Sequence, residues 1–81
     1  MLTVTLYTKD PCPLCDDVKV MLETLRPTYP HTLQEIDITA DQALFFKYRY
    51  MIPVVMIGEQ TLKAPITLFQ LTAALRQQNR L

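Results

Sequence analysis

The chain has two cysteines, and they stand together in Cys12-Pro13-Leu14-Cys15. Two residues between cysteines allow a disulfide to close across one helical turn when the first cysteine caps the helix. A helix N-terminus leaves N–H groups unsatisfied and carries about half a positive charge. Both effects stabilise a thiolate, so the spacing predicts a depressed pKa for Cys12 and makes it the nucleophile. Cys15 falls one turn inside the helix. It is expected to be more buried and to act as the resolving thiol, attacking a mixed disulfide formed at Cys12. Lys9 favours the thiolate, whereas Asp16 and Asp17 in the first turn oppose it. The helix end and Lys9 are expected to prevail, because the carboxylates can turn to solvent.

Metal binding is the other chemistry open to this motif. A single pair supplies two ligands, and structural zinc wants four. The chain has one histidine, His31, and no second cysteine pair. Asp16 and Asp17 could add oxygens, but Pro13 at a helix start suits redox chemistry better, and no metal site is expected. His31 follows Pro30 and is expected to be a solvated loop residue.

The elements that would position the motif follow from periodicity. Leu2 to Tyr7 alternates apolar residues with threonine and predicts a strand. Lys9-Asp10-Pro11 breaks it. Val18, Met21, Leu22 and Leu25 then fall at helical spacing and predict a helix over residues 13 to 26. Pro13 suits its first turn, and Pro27 helps end it. Thr32 to Ile38 alternates again and predicts a second strand. Thr39 or Asp41 can cap a helix over residues 41 to 48, packed through Leu44, Phe45 and Tyr48. Val54 to Ile57 predicts a buried strand, Gly58-Glu59 a hairpin turn and Gln60 to Lys63 the returning strand. A last helix is expected from Pro65 or Ile66, packed through Ile66, Phe69, Leu71, Ala74 and Leu75. The order β-α-β-α-β-β-α predicts an α/β fold: a four-stranded mixed sheet with three helices on its faces. A C-x-x-C motif beside a βαβ unit reads as thioredoxin-like.

Composition limits the function further. The 81 residues suffice for a single domain, residues 1–81, and 49% of them are hydrophobic, which argues against disorder. Eight basic and eight acidic side chains give a formal charge of zero. That removes the usual basis for binding nucleic acid or anionic lipid. The aromatic cluster Phe45, Phe46, Tyr48 and Tyr50 is accordingly expected to be core packing rather than a base-stacking surface. The first seven residues lack the charge pattern of a signal peptide, and no stretch approaches the ~18 apolar residues of a membrane span. A monomeric, cytoplasmic protein is expected. In such a reducing compartment a cysteine pair is expected to be reactive or metal-binding rather than structural.

The run Leu6-Tyr7-Thr8-Lys9-Asp10-Pro11-Cys12-Pro13-Leu14-Cys15 resembles the strand and active-site loop of the glutaredoxins. Met51-Ile52-Pro53-Val54-Val55 resembles their cis-proline segment, and the resemblance extends over essentially the whole chain. It implies a cis Ile52–Pro53 bond facing the cysteines. Ile52 would offer its backbone N–H and C=O to an extended thiol substrate, and the Pro53 ring would shield the sulfurs. The resemblance also implies that Lys9 and Arg49 grip the glycine carboxylate of glutathione. At the γ-glutamyl end the sequence departs from the family. Lys63-Ala64-Pro65-Ile66-Thr67 replaces a Gly-Gly pair and an acidic helix start, and Pro65 removes an N–H. Leu14 replaces the aromatic residue common inside the motif. Leu14, Met51 and Ile52 are expected to form an apolar rim for a protein partner.

The expected activity is thiol–disulfide exchange. Cys12 and Cys15 would reduce a disulfide-bearing protein or a glutathionylated substrate. No bound cofactor is expected. Glutathione is a candidate co-substrate, and electrons would come from glutathione or from a donor of the thioredoxin-reductase type. The alternative is a non-catalytic module that holds a protein partner, a metal or an iron–sulfur cluster. Cluster carriers on this fold favour Gly-Phe-Ser after the first cysteine, and Pro13 and Cys15 argue against that use.

Overall fold

The structure is a computed structural model that describes residues 2–79. In chain order it contains β1 (Leu2–Thr8), α1 (Pro13–Leu25), β2 (His31–Asp37), a 3-10 turn (Ile38–Ala40), α2 (Gln42–Tyr48), β3 (Val54–Ile57), β4 (Gln60–Lys63) and α3 (Leu68–Gln78). The strands form one sheet in the order β2-β1-β3-β4. β1 and β2 run parallel, and β3 lies antiparallel to both β1 and β4. This is the mixed four-stranded sheet with three helices that the sequence predicts.

Period-two alternation gives the central strands two buried faces. Val4, Leu6, Val55 and Ile57 pack with Val18 and Leu22 of α1 and with Leu71, Ala74 and Leu75 of α3. The opposite face of β3 presents Val54 to Ile38 and Tyr48, with Tyr7, Leu44, Phe45, Met51 and Ile52 around them. Tyr7 of β1 stacks on Tyr48 of α2 at 4.6 Å between ring centroids. The sheet is thus covered on one face by α1 and α3 and on the other by α2.

Local chemistry sets the helix ends. Pro13 occupies the first turn of α1, where its missing N–H costs nothing. Asp41 caps α2 by accepting from the Ala43 and Leu44 N–H groups. Asp37 caps the 3-10 turn, accepting from the Thr39 N–H and hydroxyl. Those two bonds hold its carboxyl below the ordinary range, the hydroxyl contributing most. This cap therefore acts above the unfolded-state pKa and is lost as pH falls through the lowered folded value. At the hairpin turn Gly58 adopts φ +59°, which a side chain would strain.

The last helix starts later than the sequence predicts. Thr67 caps it by accepting from Gln70 N–H at 3.1 Å, and the Gln70 side chain accepts from Thr67 N–H at 2.8 Å. A capping box satisfies two orphan donors at once, which outweighs the suitability of Pro65 for a first turn. Thr67→Ala should cost about 1 kcal/mol, read as a lower urea midpoint at constant slope.

Four further expectations need correction. The second strand is His31–Asp37, one residue earlier than predicted, and Ile38 belongs to the 3-10 turn. His31 is not a solvated loop residue. It begins β2 beside Leu2 of β1 and is 2% exposed, with Nδ1 donating to the Tyr29 carbonyl at 2.8 Å. Phe69 is 81% exposed. It lies two residues before Leu71, hence about 200° around the helix from it. Phe46 and Tyr50 are also exposed, so only Phe45 and Tyr48 of the aromatic cluster serve as core.

Candidate active site

Strand register brings three segments to one end of the sheet. Thr8 ends β1, and the cysteine loop follows it. Tyr7 pairs with Val54, so Pro53 lies beside that end of β1. Val54 pairs with Lys63, which places Ala64 and Pro65 next to Met51 and Pro53. The Ala64 N–H donates to the Met51 carbonyl at 3.4 Å across this junction. The Ile52–Pro53 peptide is cis, as are Asp10–Pro11 and Ala64–Pro65.

Cys12 and Cys15 are joined in a disulfide, with their Cα atoms 5.2 Å apart. Cys12 is the N-cap of α1 with an extended backbone, and its Sγ accepts from the Cys15 N–H at 3.2 Å. The helix end thus directs a donor at this sulfur. The two cysteines differ in access: Cys15 is 0% exposed and Cys12 is half-buried. A reactant from solvent meets Cys12 first.

A groove of about 320 Å³ opens beside the motif. One wall is a stripe of α1 made by Leu14, Asp17, Val18 and Met21. The other wall is Pro53 with Ala64, Pro65 and Ile66. The lining is apolar apart from Asp17, which makes no ion pair with any described residue. Helical periodicity predicts Val18 and Met21 on the apolar face of α1 and Asp17 as a first-turn charge, and the structure adds that all three line this groove. The spacing i, i+3, i+4, i+7 of the stripe was the signal that these residues share a face.

The other predicted site residues are placed as follows. Leu14 is 61% exposed at the groove, and Pro53 is buried beneath it. Ile52 is half-buried, and its N–H donates to the Tyr48 carbonyl at 3.2 Å. Of the two backbone groups expected to meet a substrate, that N–H is therefore committed within the chain. The tight turn after α2 claims it, and the carbonyl is the group left to offer.

Lys9 is exposed in a separate polar hollow with Thr8, Asp10, Asp16, Lys19, Glu35 and Asp37. Within this hollow Lys19 bridges Glu35 at 2.8 Å and Asp16 at 3.6 Å. The Glu35 hydrogen bond is the main cause holding the Lys19 ammonium above its ordinary range, against the opposing effect of burial. Arg49 lies over the rings of Tyr50, Phe46 and Phe45 at 4.8, 5.0 and 5.8 Å. The groove is not lined by Lys9 or Arg49, and the structure does not bring these two cations together in one cavity. No group of three or more metal-ligating side chains occurs among the described residues. No described helix is long and apolar enough to cross a membrane.

A sequence profile of the glutaredoxin-like domain family (DUF836) matches residues 3–76. Among solved structures, the fold is similar to structural-genomics target protein XcR50 from X. campestris. That chain is 29% identical, with 91% of this chain and 96% of that one covered and a TM-score of 0.79. Oxidised thioredoxin O2 from Arabidopsis thaliana is 16% identical, with 95% and 74% covered and a TM-score of 0.76. A thioredoxin variant from Halobacterium salinarum is 20% identical, with 99% and 76% covered and a TM-score of 0.77. The two thioredoxins speak for the fold alone. The profile covers most of the chain, which therefore belongs to the glutaredoxin-like domain family on a thioredoxin fold.

Proposed function

We propose that the protein is a thiol–disulfide oxidoreductase that reduces disulfides in polypeptides. The observation that carries this reading is the Cys12–Cys15 disulfide at the start of α1, with one accessible and one buried sulfur.

In the reduced state the Cys12 thiolate attacks one sulfur of a substrate disulfide. A Cys12–substrate bond forms, the substrate S–S bond breaks, and the departing sulfur leaves as a thiolate that takes a proton. Cys15, deprotonated, then attacks Cys12 Sγ. The Cys12–Cys15 bond forms, and the second substrate thiol is released. Two electrons pass from the dithiol to the substrate, and the oxidised state with its closed disulfide results. An external thiol donor, either glutathione or a reductase of the thioredoxin-reductase type, returns the pair to the dithiol.

Leu14 supplies the exposed apolar surface that meets the substrate, Pro53 packs beneath it as the floor, and the Ile52 carbonyl aligns the substrate backbone. Lys9, three residues before Cys12 in the chain, contributes a positive charge to the segment that carries the motif. Arg49 serves the aromatic surface of α2, and a role in gripping a glutathione carboxylate would require it to leave those rings. The motif is expected to work in a reducing compartment such as the cytoplasm, as one domain.

The Cys15 N–H aimed at Cys12 Sγ supports a thiolate at that position. Titration of thiolate absorbance near 240 nm, with Cys15→Ser to isolate Cys12, should give a pKa below the ordinary cysteine value of about 8.5. A value at or above it would remove the activation argument. Reduction of insulin with dithiothreitol as donor tests the activity itself. Acceleration over dithiothreitol alone is expected. No acceleration with insulin or with a glutathionylated peptide would overturn the reading.

A further inference from the structure

We propose that the groove beside the motif is a subsite for a lysine or arginine side chain flanking the reacting cysteine of a polypeptide substrate, selected by Asp17. The inference rests on the oxidoreductase reading and names its substrate class.

The occupant follows from the lining. Val18, Met21, Pro65 and Ile66 make apolar walls, and Asp17 is the one ionisable group among the lining residues. A purely apolar side chain would match the walls and leave the carboxylate facing it. An acidic side chain would meet the carboxylate as a like charge. A lysine or arginine satisfies both parts, because its aliphatic stem covers apolar surface while its cationic head stays near water. The head then reaches Asp17, which has no competing cation among the described residues. Its neighbour Asp16 faces the other way, in the polar hollow with Lys19. The same lining disfavours a glutathionyl group. That ligand brings two carboxylates, and Pro65 has no N–H to give either of them.

The formal charge of the chain is zero, so a general field does not supply the preference. The selection is local and should disappear with one charge.

The test uses the pre-reduced full chain in single turnover, so no donor is involved. The substrates are disulfide-linked peptides that differ in one residue: lysine, norleucine or glutamate, placed in turn at each of the two positions on either side of the cysteine. At one or more positions the second-order rate constant should rank lysine over norleucine over glutamate. The lysine-to-glutamate ratio should be about fivefold to tenfold at low salt, the size expected of one gained and one repelled charge pair. High salt should compress it. Asp17→Asn should bring the ratio within about twofold of unity, and Asp17→Lys should invert it. Far-UV circular dichroism on both variants checks that α1 is retained.

Equal rates at every position in the wild type would overturn the subsite and leave the oxidoreductase reading intact. A ratio that survives Asp17→Asn would do the same. Failure to reduce any of the peptides would overturn the oxidoreductase reading, and the subsite with it.

Discussion

Cys12→Ser should lower disulfide reduction at least about 1000-fold, to the rate of the chemical donor alone. A serine hydroxyl placed at the helix start is not ionised near neutral pH, and the one other thiol of the chain, Cys15, is not accessible to replace Cys12. Cys15 is fully buried and sits behind it. Cys15→Ser should behave differently. Attack by Cys12 still occurs, but the mixed disulfide then waits for an outside thiol. The covalent complex should accumulate as a species that reductant dissolves, visible on a non-reducing gel or by intact mass. Steady-state reduction of a protein disulfide should fall about 100-fold, because an intramolecular step becomes bimolecular. Activity that survives Cys12→Ser would remove the proposed nucleophile. Full turnover in Cys15→Ser would show that the buried sulfur plays no part and that the chemistry is monothiol.

The second large effect concerns stability. Leu6→Ala should cost about 3 kcal/mol, read from the urea midpoint at constant slope. Leu6 lies in the central strand with no exposed area, between the β2 and β3 ladders and under α1 and α3. The sheet and helices close on it from several sides, so the cavity left by truncation has little room to collapse. A chain of this length has a total stability of about 4–12 kcal/mol, so the loss is a large share of it. Phe69→Ala removes a larger side chain but one that is 81% exposed, and it should change stability by less than about 0.5 kcal/mol. A comparable cost for the two substitutions would contradict the arrangement of α3.

The contrast between Leu6 and Phe69 marks where sequence reading works. Alternation along Leu2 to Tyr7 identifies the first strand directly, because a period of two is local, and the observed strand runs one residue further, to Thr8. The strands Val54–Ile57 and Gln60–Lys63 are legible to the residue, since a single glycine turn separates them. In α3 the apolar residues are spread over more than one face, and composition alone does not say which face is covered. The rotation of the helix is decided by where it starts, and Thr67 with Gln70 decides that. His31 departs from the expected loop for a related reason. Pro30 suggested a loop, but parallel pairing with Leu2 of β1 extends the strand one residue back and buries the ring.

At the site, sequence determined the cysteine pair, its place at a helix start and which of the two sulfurs is the more exposed. The spacing of Cys12 and Cys15 and the helix starting at Pro13 are local properties, and the accessible-then-buried arrangement follows from one turn of helix. What stands opposite the motif was decided by tertiary structure. Register between β1, β3 and β4 carries Pro53 and Pro65 to the end of the sheet where the cysteine loop emerges, although they lie 41 and 53 residues after Cys12. Packing likewise moved Arg49 from an expected carboxylate grip to the aromatic surface of α2, and it turned Asp17 from a helix-start charge into the one charge of an apolar groove. A contact across the sheet depends on strand pairing between distant segments, and no local pattern encodes which side chains that pairing brings face to face.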